Sequence, residues 1–256
     1  MNKGIGQNWL LLRGLSREAG HWGNFIPQLQ QAFPNARIHT LDLPGAGQFH
    51  QLDSPTEIVR ITDFVREQAA HQGLLQQPLT LLALSLGGMV GWEWLHKYPD
   101  DLNGATLVNT SFASLSAFHQ RLRWQSYPDF TRILRQKQIY QRERHILQLV
   151  CNRRDKDDEV AGHWQQLQLE QPVSIANSLR QILAAARYKP ASSTPQVPVL
   201  LLNSLGDRLV SPTCSKAISE KWQLELQTHP WGGHDLCMDD GEWVATRLQE
   251  WVNGGA

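Results

Sequence analysis

Three cysteines in 256 residues, Cys151, Cys214 and Cys237, are too few, too far apart and too odd in number to build a disulfide framework. They sit in no CxxC or Cys/His spacing that would hold a metal. A reducing compartment is therefore expected. Long apolar runs are also missing. None approaches the roughly 20 residues needed to span a bilayer, and Met1 to Asn8 carries no apolar stretch of signal-peptide type. These absences predict a soluble, cytoplasmic protein with no membrane span. Charge of either sign is not in excess: 24 basic residues face 24 acidic ones, so the chain as a whole offers no electrostatic footprint for nucleic acid. Repeats and low-complexity tracts are absent, although glutamine is abundant. With 41% hydrophobic and 19% charged residues, the chain can bury one sizeable core.

Short apolar runs alternate with longer helical segments. The runs Trp9–Leu12, Arg37–Leu43, Pro78–Leu84, Ala105–Asn109, Val197–Asn203 and Leu224–Thr228 read as strands. Near-continuous apolar character suits strands buried on both faces of a parallel sheet, and the intervals are long enough for helical crossovers. Helices are expected over 20–32, 55–72, 86–98, 213–222 and 239–253. The last carries Val244, Leu248 and Trp251 at core-packing spacing. Residues 112–190 lack any strand signal and read as several amphipathic helices, for example around Phe118–Trp124, Ile133–Tyr140, Ile146–Val150 and Ile175–Ala186. A structureless loop of that length is improbable in a compact domain. The predicted organisation is an α/β core of residues 1–111 and 191–256, with a helical cap, 112–190, inserted after the fourth strand.

The most informative run is Leu81-Leu82-Ala83-Leu84-Ser85-Leu86-Gly87-Gly88. An apolar strand ends at a serine and a glycine pair opens a helix, the arrangement of a nucleophile elbow. Small residues at 83 and 87 let strand and helix approach. A nucleophilic serine needs a base, and the base needs an orienting acid. Asp207 lies just past the fifth strand, in Gly206-Asp207-Arg208-Leu209-Val210. His234 lies just past the sixth, in Trp231-Gly232-Gly233-His234. All three residues follow carboxyl ends of parallel strands, where open α/β sheets place their sites. Asp235, adjacent to His234, cannot easily bond its neighbour's ring. His229 reads as a strand end facing solvent or a backbone partner, Asp42 as a turn-stabilising carboxylate, and Asp239-Asp240 as caps of the last helix.

With the order Ser, Asp, His in place, the chain resembles the α/β-hydrolase superfamily over nearly its whole length apart from the insertion. Leu41-Asp42-Leu43-Pro44-Gly45-Ala46-Gly47 resembles the family's Asp-x-Pro-Gly-x-Gly loop, and Leu12-Arg13-Gly14-Leu15 with Trp22 resembles its oxyanion strand. The resemblance implies backbone amides of Leu15 and Leu86 as the oxyanion hole, residues 112–190 as the lid, and no metal or organic cofactor. Two residues depart from the pattern: Arg13 replaces the usual His, and Ala83 replaces the first Gly of Gly-x-Ser-x-Gly. The usual opening hairpin is also missing.

Within the superfamily the chain is most similar to small-cap carboxylesterases such as the pimeloyl-carrier-protein methyl ester esterases. That likeness implies hydrolysis of an ester or thioester through an acyl-enzyme on Ser85. A lyase or C–C bond hydrolase on the same triad, resembling the menaquinone-pathway enzyme, is the alternative, and a non-catalytic binding protein comes third. Trp22, Trp231, Arg121 and Arg123 are the candidates for substrate contact. The tryptophans read individually as packing, with Trp231 balanced because of its closeness to His234. The insertion holds thirteen basic and seven acidic side chains, a local excess of six positive charges. That excess is either a solvated surface or an attraction for an anionic or carrier-bound acyl donor.

Overall fold

The computed structural model describes residues 4–254. Six parallel strands form one sheet: β1 (Asn8–Leu12), β2 (Arg37–Leu41), β3 (Leu79–Leu84), β4 (Leu102–Val108), β5 (Val199–Ser204) and β6 (Glu225–His229), in spatial order β2-β1-β3-β4-β5-β6. Residues alternate between faces with the strand period of two. Leu10, Leu12, Leu81, Ala83 and Leu107 pack on one side, with residues of α2 (Ile58–His71), α3 (Leu86–Lys97) and α9 (Pro212–Trp222). Trp9, Leu11, Leu82, Leu84, Val108, Leu200 and Leu202 pack on the other, against α1 (Phe25–Ala32) and α11 (Gly241–Val252). Burial on both faces is why the inner strands β1, β3 and β5 read as apolar runs, whereas the edge strands β2 and β6 are partly exposed and mix polar with apolar residues.

The fourth strand starts earlier than its apolar run implies. Leu102-Asn103-Gly104 join it because Asn103 Oδ1 accepts from Thr80 Oγ1 at 2.7 Å and Trp251 covers Gly104, neither of which is visible locally.

Between β4 and β5 lie five helices: α4 (Phe118–Arg121), α5 (Tyr127–Arg135), α6 (Ile139–Val150), α7 (Asp157–Glu170) and α8 (Ile175–Arg187). The predicted helix over Ile133–Tyr140 is instead a boundary, since Gln136 and Gln138 are extended between α5 and α6. The sequence reading missed α7. It begins with Asp157, Asp158 and Glu159 at the positive end of the helix dipole and buries Ala161 and Trp164 against Leu147 of α6.

The insertion is held to the core by the apolar contacts of Phe112, Ala184 and Tyr188 and by polar side chains. On α8, buried Gln181 accepts from Ser16 N at 2.8 Å and donates to Pro44 O, while Asn177 accepts from Ser54 N at 2.9 Å and donates to Leu52 O. Arg17 reaches Glu143 of α6 at 2.7 Å and stacks over Trp164. A short helix, α10 (Leu236–Asp239), leads from the β6 loop into α11. No helix among the described residues is long and apolar enough to cross a membrane.

Candidate active site

Ser85 stands between β3 and α3 with φ 56° and ψ −113°, a left-handed backbone that a non-glycine residue adopts only when its surroundings impose it. Here Ser85 N donates to Val108 O at 2.8 Å, and its carbonyl accepts from Thr110 Oγ1 at 2.8 Å. The two glycines of the elbow are steric necessities. A Cβ on Gly87 would lie 2.6 Å from the carbonyl oxygens of Leu12 and Arg13, and one on Gly88 would lie 2.7 Å from Thr110 Cβ. Helix α3 therefore rests directly on the end of β1. A Cβ on Gly14 would come within 3.1 Å of Ser85 Cβ, so the loop after β1 also touches the serine.

The other two strand-end residues meet each other. His234 Nδ1 and Asp207 Oδ2 are 2.7 Å apart, and both side chains are buried. The second Asp207 oxygen, Oδ1, accepts from Leu209 N and Val210 N, each at 2.8 Å, which fixes the carboxylate in its loop. Ser85 is half-buried, and in this conformation its hydroxyl makes no hydrogen bond among the described residues. The amides of Leu15 and Leu86 likewise donate to no group among the described residues, and Leu86 heads α3, where no intrahelical acceptor exists.

Several residues outside the predicted triad support this arrangement, among them Asn109, which the sequence reading passed over. Asn109, also left-handed at φ 48°, donates to the carbonyls of His234 (2.8 Å) and Gly233 (3.2 Å), and its Oδ1 accepts from Ser204 N. Asp239 does not cap the last helix. It accepts from Gly233 N, Asn152 N and Arg153 N, while Asp240 alone caps α11 by accepting from Trp243 N. Burial pushes the Asp239 carboxyl up, and those three amides pull it back. His229 is buried and does not face solvent. Its Nδ1 accepts from Gly232 N at 2.8 Å. Asp42 stabilises its turn by accepting from Ala19 N and Gln48 N.

The candidate substrate-contact residues are placed differently from one another. Trp22 has no exposed surface and packs on Phe25 beneath the Arg13 guanidinium. Trp231 is 42% exposed beside His229. Arg121 donates to Ala185 O and Ala186 O at the end of α8, and Arg123 donates to the Asp207 carbonyl at 2.5 Å. Both guanidiniums are thus bound to main-chain carbonyls. Burial pushes the thiols of Cys151, Cys214 and Cys237 up, which leaves them poor nucleophiles at neutral pH.

A strained serine on a strand-to-helix turn, with a histidine–carboxylate pair on neighbouring strand ends, marks a hydrolase-type α/β sheet. A family model described as alpha/beta hydrolase fold matches residues 9–241, and the chain belongs to that family. Among solved structures, it is similar to a thermophilic esterase from Thermogutta terrifontis with malate bound (21% identity, TM-score 0.73, covering 98% of this chain and 91% of that one). It is also similar to an alpha/beta hydrolase fold protein from Chitinophaga pinensis (15%, TM-score 0.75, 97% and 90%). A third is a lipase-esterase related protein from Clostridium acetobutylicum ATCC 824 (15%, TM-score 0.70, 98% and 96%). At these identities the likeness is one of fold. Among curated proteins none matches.

Proposed function

We propose that this chain is a serine hydrolase that cleaves a carboxylic ester or thioester of a small-molecule acyl donor through an acyl-enzyme on Ser85. The observation that carries the reading is the left-handed Ser85 elbow combined with the 2.7 Å His234–Asp207 contact, both beyond the carboxyl ends of the parallel strands. The esterase and lipase-esterase names among proteins of the same fold support it. Ser85 Oγ attacks the acyl carbon while His234 Nε2 takes its proton. Asp207 holds the ring so that Nδ1 carries its hydrogen and stabilises the resulting imidazolium. The oxyanion is received by the Leu15 and Leu86 amides, which have no other acceptor to give up among the described residues. His234 then returns the proton to the leaving alcohol or thiol, and water repeats the sequence to free the acid. Ser85 and His234 approach to bonding distance when substrate fills the site, as is common for catalytic hydrogen bonds that are open in the free enzyme.

The helices of 112–190 serve as the cap. Because Arg121 and Arg123 are committed to carbonyls, attraction of an anionic or carrier-bound donor falls to exposed cap cations such as Arg132 and Arg135 on α5.

A fluorophosphonate probe tests the reading. It should label Ser85 in the wild-type protein and not in Ser85→Ala, and Ser85→Ala should lose hydrolysis of p-nitrophenyl esters while melting no lower than wild type. Absence of labelling would leave a non-catalytic protein. Labelling without turnover of any ester or thioester would favour the lyase alternative.

A further inference from the structure

Arg13 stands where the family pattern has His, and the structure shows what it does. Its guanidinium makes two hydrogen bonds to Asp235, 222 residues away: Nη1 to Oδ1 at 3.2 Å, and a shorter bond from Nη2 to Oδ2. Both side chains are buried, and the guanidinium lies 4.6 Å over the Trp22 ring. Arg13 Nε has no acceptor, so among the described residues Asp235 alone neutralises this cation by a direct hydrogen bond. The pair joins two loops that matter. Arg13 precedes Gly14 and Leu15 at the end of β1, and Asp235 follows His234 beyond β6. In the sheet these strands are separated by β3, β4 and β5. The second loop is further pinned by Asp235 N to Val150 O at 2.9 Å.

The placement has an electrostatic side. Asp207 is bonded to the His234 ring, and a second carboxylate, Asp235, is the next residue in the chain. A buried carboxylate without a counter-ion favours positive charge on the groups around it. Arg13 cancels that charge. Among the described residues, other charged groups bonded to the loops around His234 include Asp239, which accepts from Gly233 N; Arg123, on the Asp207 carbonyl; and Arg208, on the Cys151 carbonyl.

We propose that Arg13 and Asp235 are positioning residues for the Ser85 chemistry, holding the base loop against the oxyanion loop and neutralising the carboxylate that follows the base in the chain. This inference rests on the triad reading given above.

The test uses the full chain, with active sites counted by fluorophosphonate titration. The kcat/KM for p-nitrophenyl butyrate is then followed from about pH 5 to about pH 9. Arg13→Met should move the acid limb up by roughly one pH unit, and Asp235→Asn should move it down by a similar amount. Arg13→Met combined with Asp235→Leu should return the limb to the wild-type position. That double variant should still lose roughly 10-fold or more per active site, because the loops are no longer tied. Arg13→Lys keeps the charge and should keep the wild-type profile. Superimposable profiles in all variants, with only melting temperature lowered, would reduce the pair to a packing element and overturn the inference. Should Arg13→Met fail to fold, Asp235→Asn and Arg13→Lys decide the question: an unshifted Asp235→Asn limb overturns it. A wild-type protein that is not labelled at Ser85 would instead remove the triad reading, so the two failures are distinct.

Discussion

Asp207→Asn changes one atom, and the structure dictates how the new amide must sit. Asp207 Oδ1 accepts from two backbone amides, Leu209 N and Val210 N, and Oδ2 accepts from His234 Nδ1. An asparagine has one acceptor oxygen. Turned toward the two amides, it preserves both main-chain hydrogen bonds and aims its NH2 at His234. Turned the other way, it sets a donor against two buried donors, at a cost of about 1–3 kcal/mol for each one left unsatisfied. Two amides against one imidazole decide for the first orientation. His234 Nδ1 must then accept, so the neutral ring carries its hydrogen on Nε2, the nitrogen that should receive the serine proton. The expected loss in kcat/KM for a p-nitrophenyl ester is about 10⁴-fold, the scale of the equivalent change in a serine protease triad. That corresponds to about 5 kcal/mol of transition-state stabilisation. The melting temperature should change little, because the loop bonds survive. The measurement is steady-state hydrolysis on protein shown by mass spectrometry to be free of deamidated Asp207. A loss below about 10-fold would refute the assignment of Asp207 as the orienting acid.

Three further outcomes follow from the structure. Gly87→Ala should destabilise the protein by about 1–3 kcal/mol and lower kcat/KM, because the added methyl meets main-chain oxygens of Leu12 and Arg13 that cannot rotate away. Gly162→Ala in α7, where a Cβ meets nothing within 4 Å, should instead stabilise it by about 0.5–1 kcal/mol; thermal melts of the pair provide the check. Burial, with Asp42 and Glu170 nearby, pushes the Glu18 carboxyl up to about 7 from 4.5. A carboxyl raised in the folded state binds its proton more tightly there than in the unfolded chain. Its contribution to stability is therefore fully present below about pH 4.5 and lost as pH rises through about 7. Glu18→Gln should accordingly gain stability relative to wild type between those values and hold a constant advantage above them. Denaturant melts across that range test it, and a constant difference at every pH would exclude a titrating Glu18.

Much of the architecture was legible in the residues themselves because its signals are local. Trp9–Leu12, Leu79–Leu84 and Val199–Ser204 carry enough apolar residues in a row to demand burial on both faces. The Gly87-Gly88 pair after Ser85 announces a strand–helix contact too close for a side chain. The Ser85, Asp207 and His234 order was readable because Ser85 and Asp207 follow apolar strands and His234 follows a glycine pair after a short, mixed strand. The long α7 was not, because Asp157–Glu170 has only a thin apolar stripe, and its burial comes from α6, a partner that no short window contains.

What only the tertiary structure decided is which polar groups meet. Arg13 and Asp235 are ordinary charges in the sequence, and their identity as a buried pair depends on β1 and β6 lying in one sheet with three strands between them. Arg121 and Arg123 looked equally available for a substrate, and the fold turned both toward carbonyls, at the end of α8 and on Asp207. Asn109 became the anchor of the His234 loop through bonds spanning 124 and 125 residues. Apolar periodicity determines burial because the hydrophobic effect is non-directional and sums along a segment. A hydrogen bond requires one donor and one acceptor at a set distance and angle, and for residues far apart in the chain that coincidence exists only once the chain has folded.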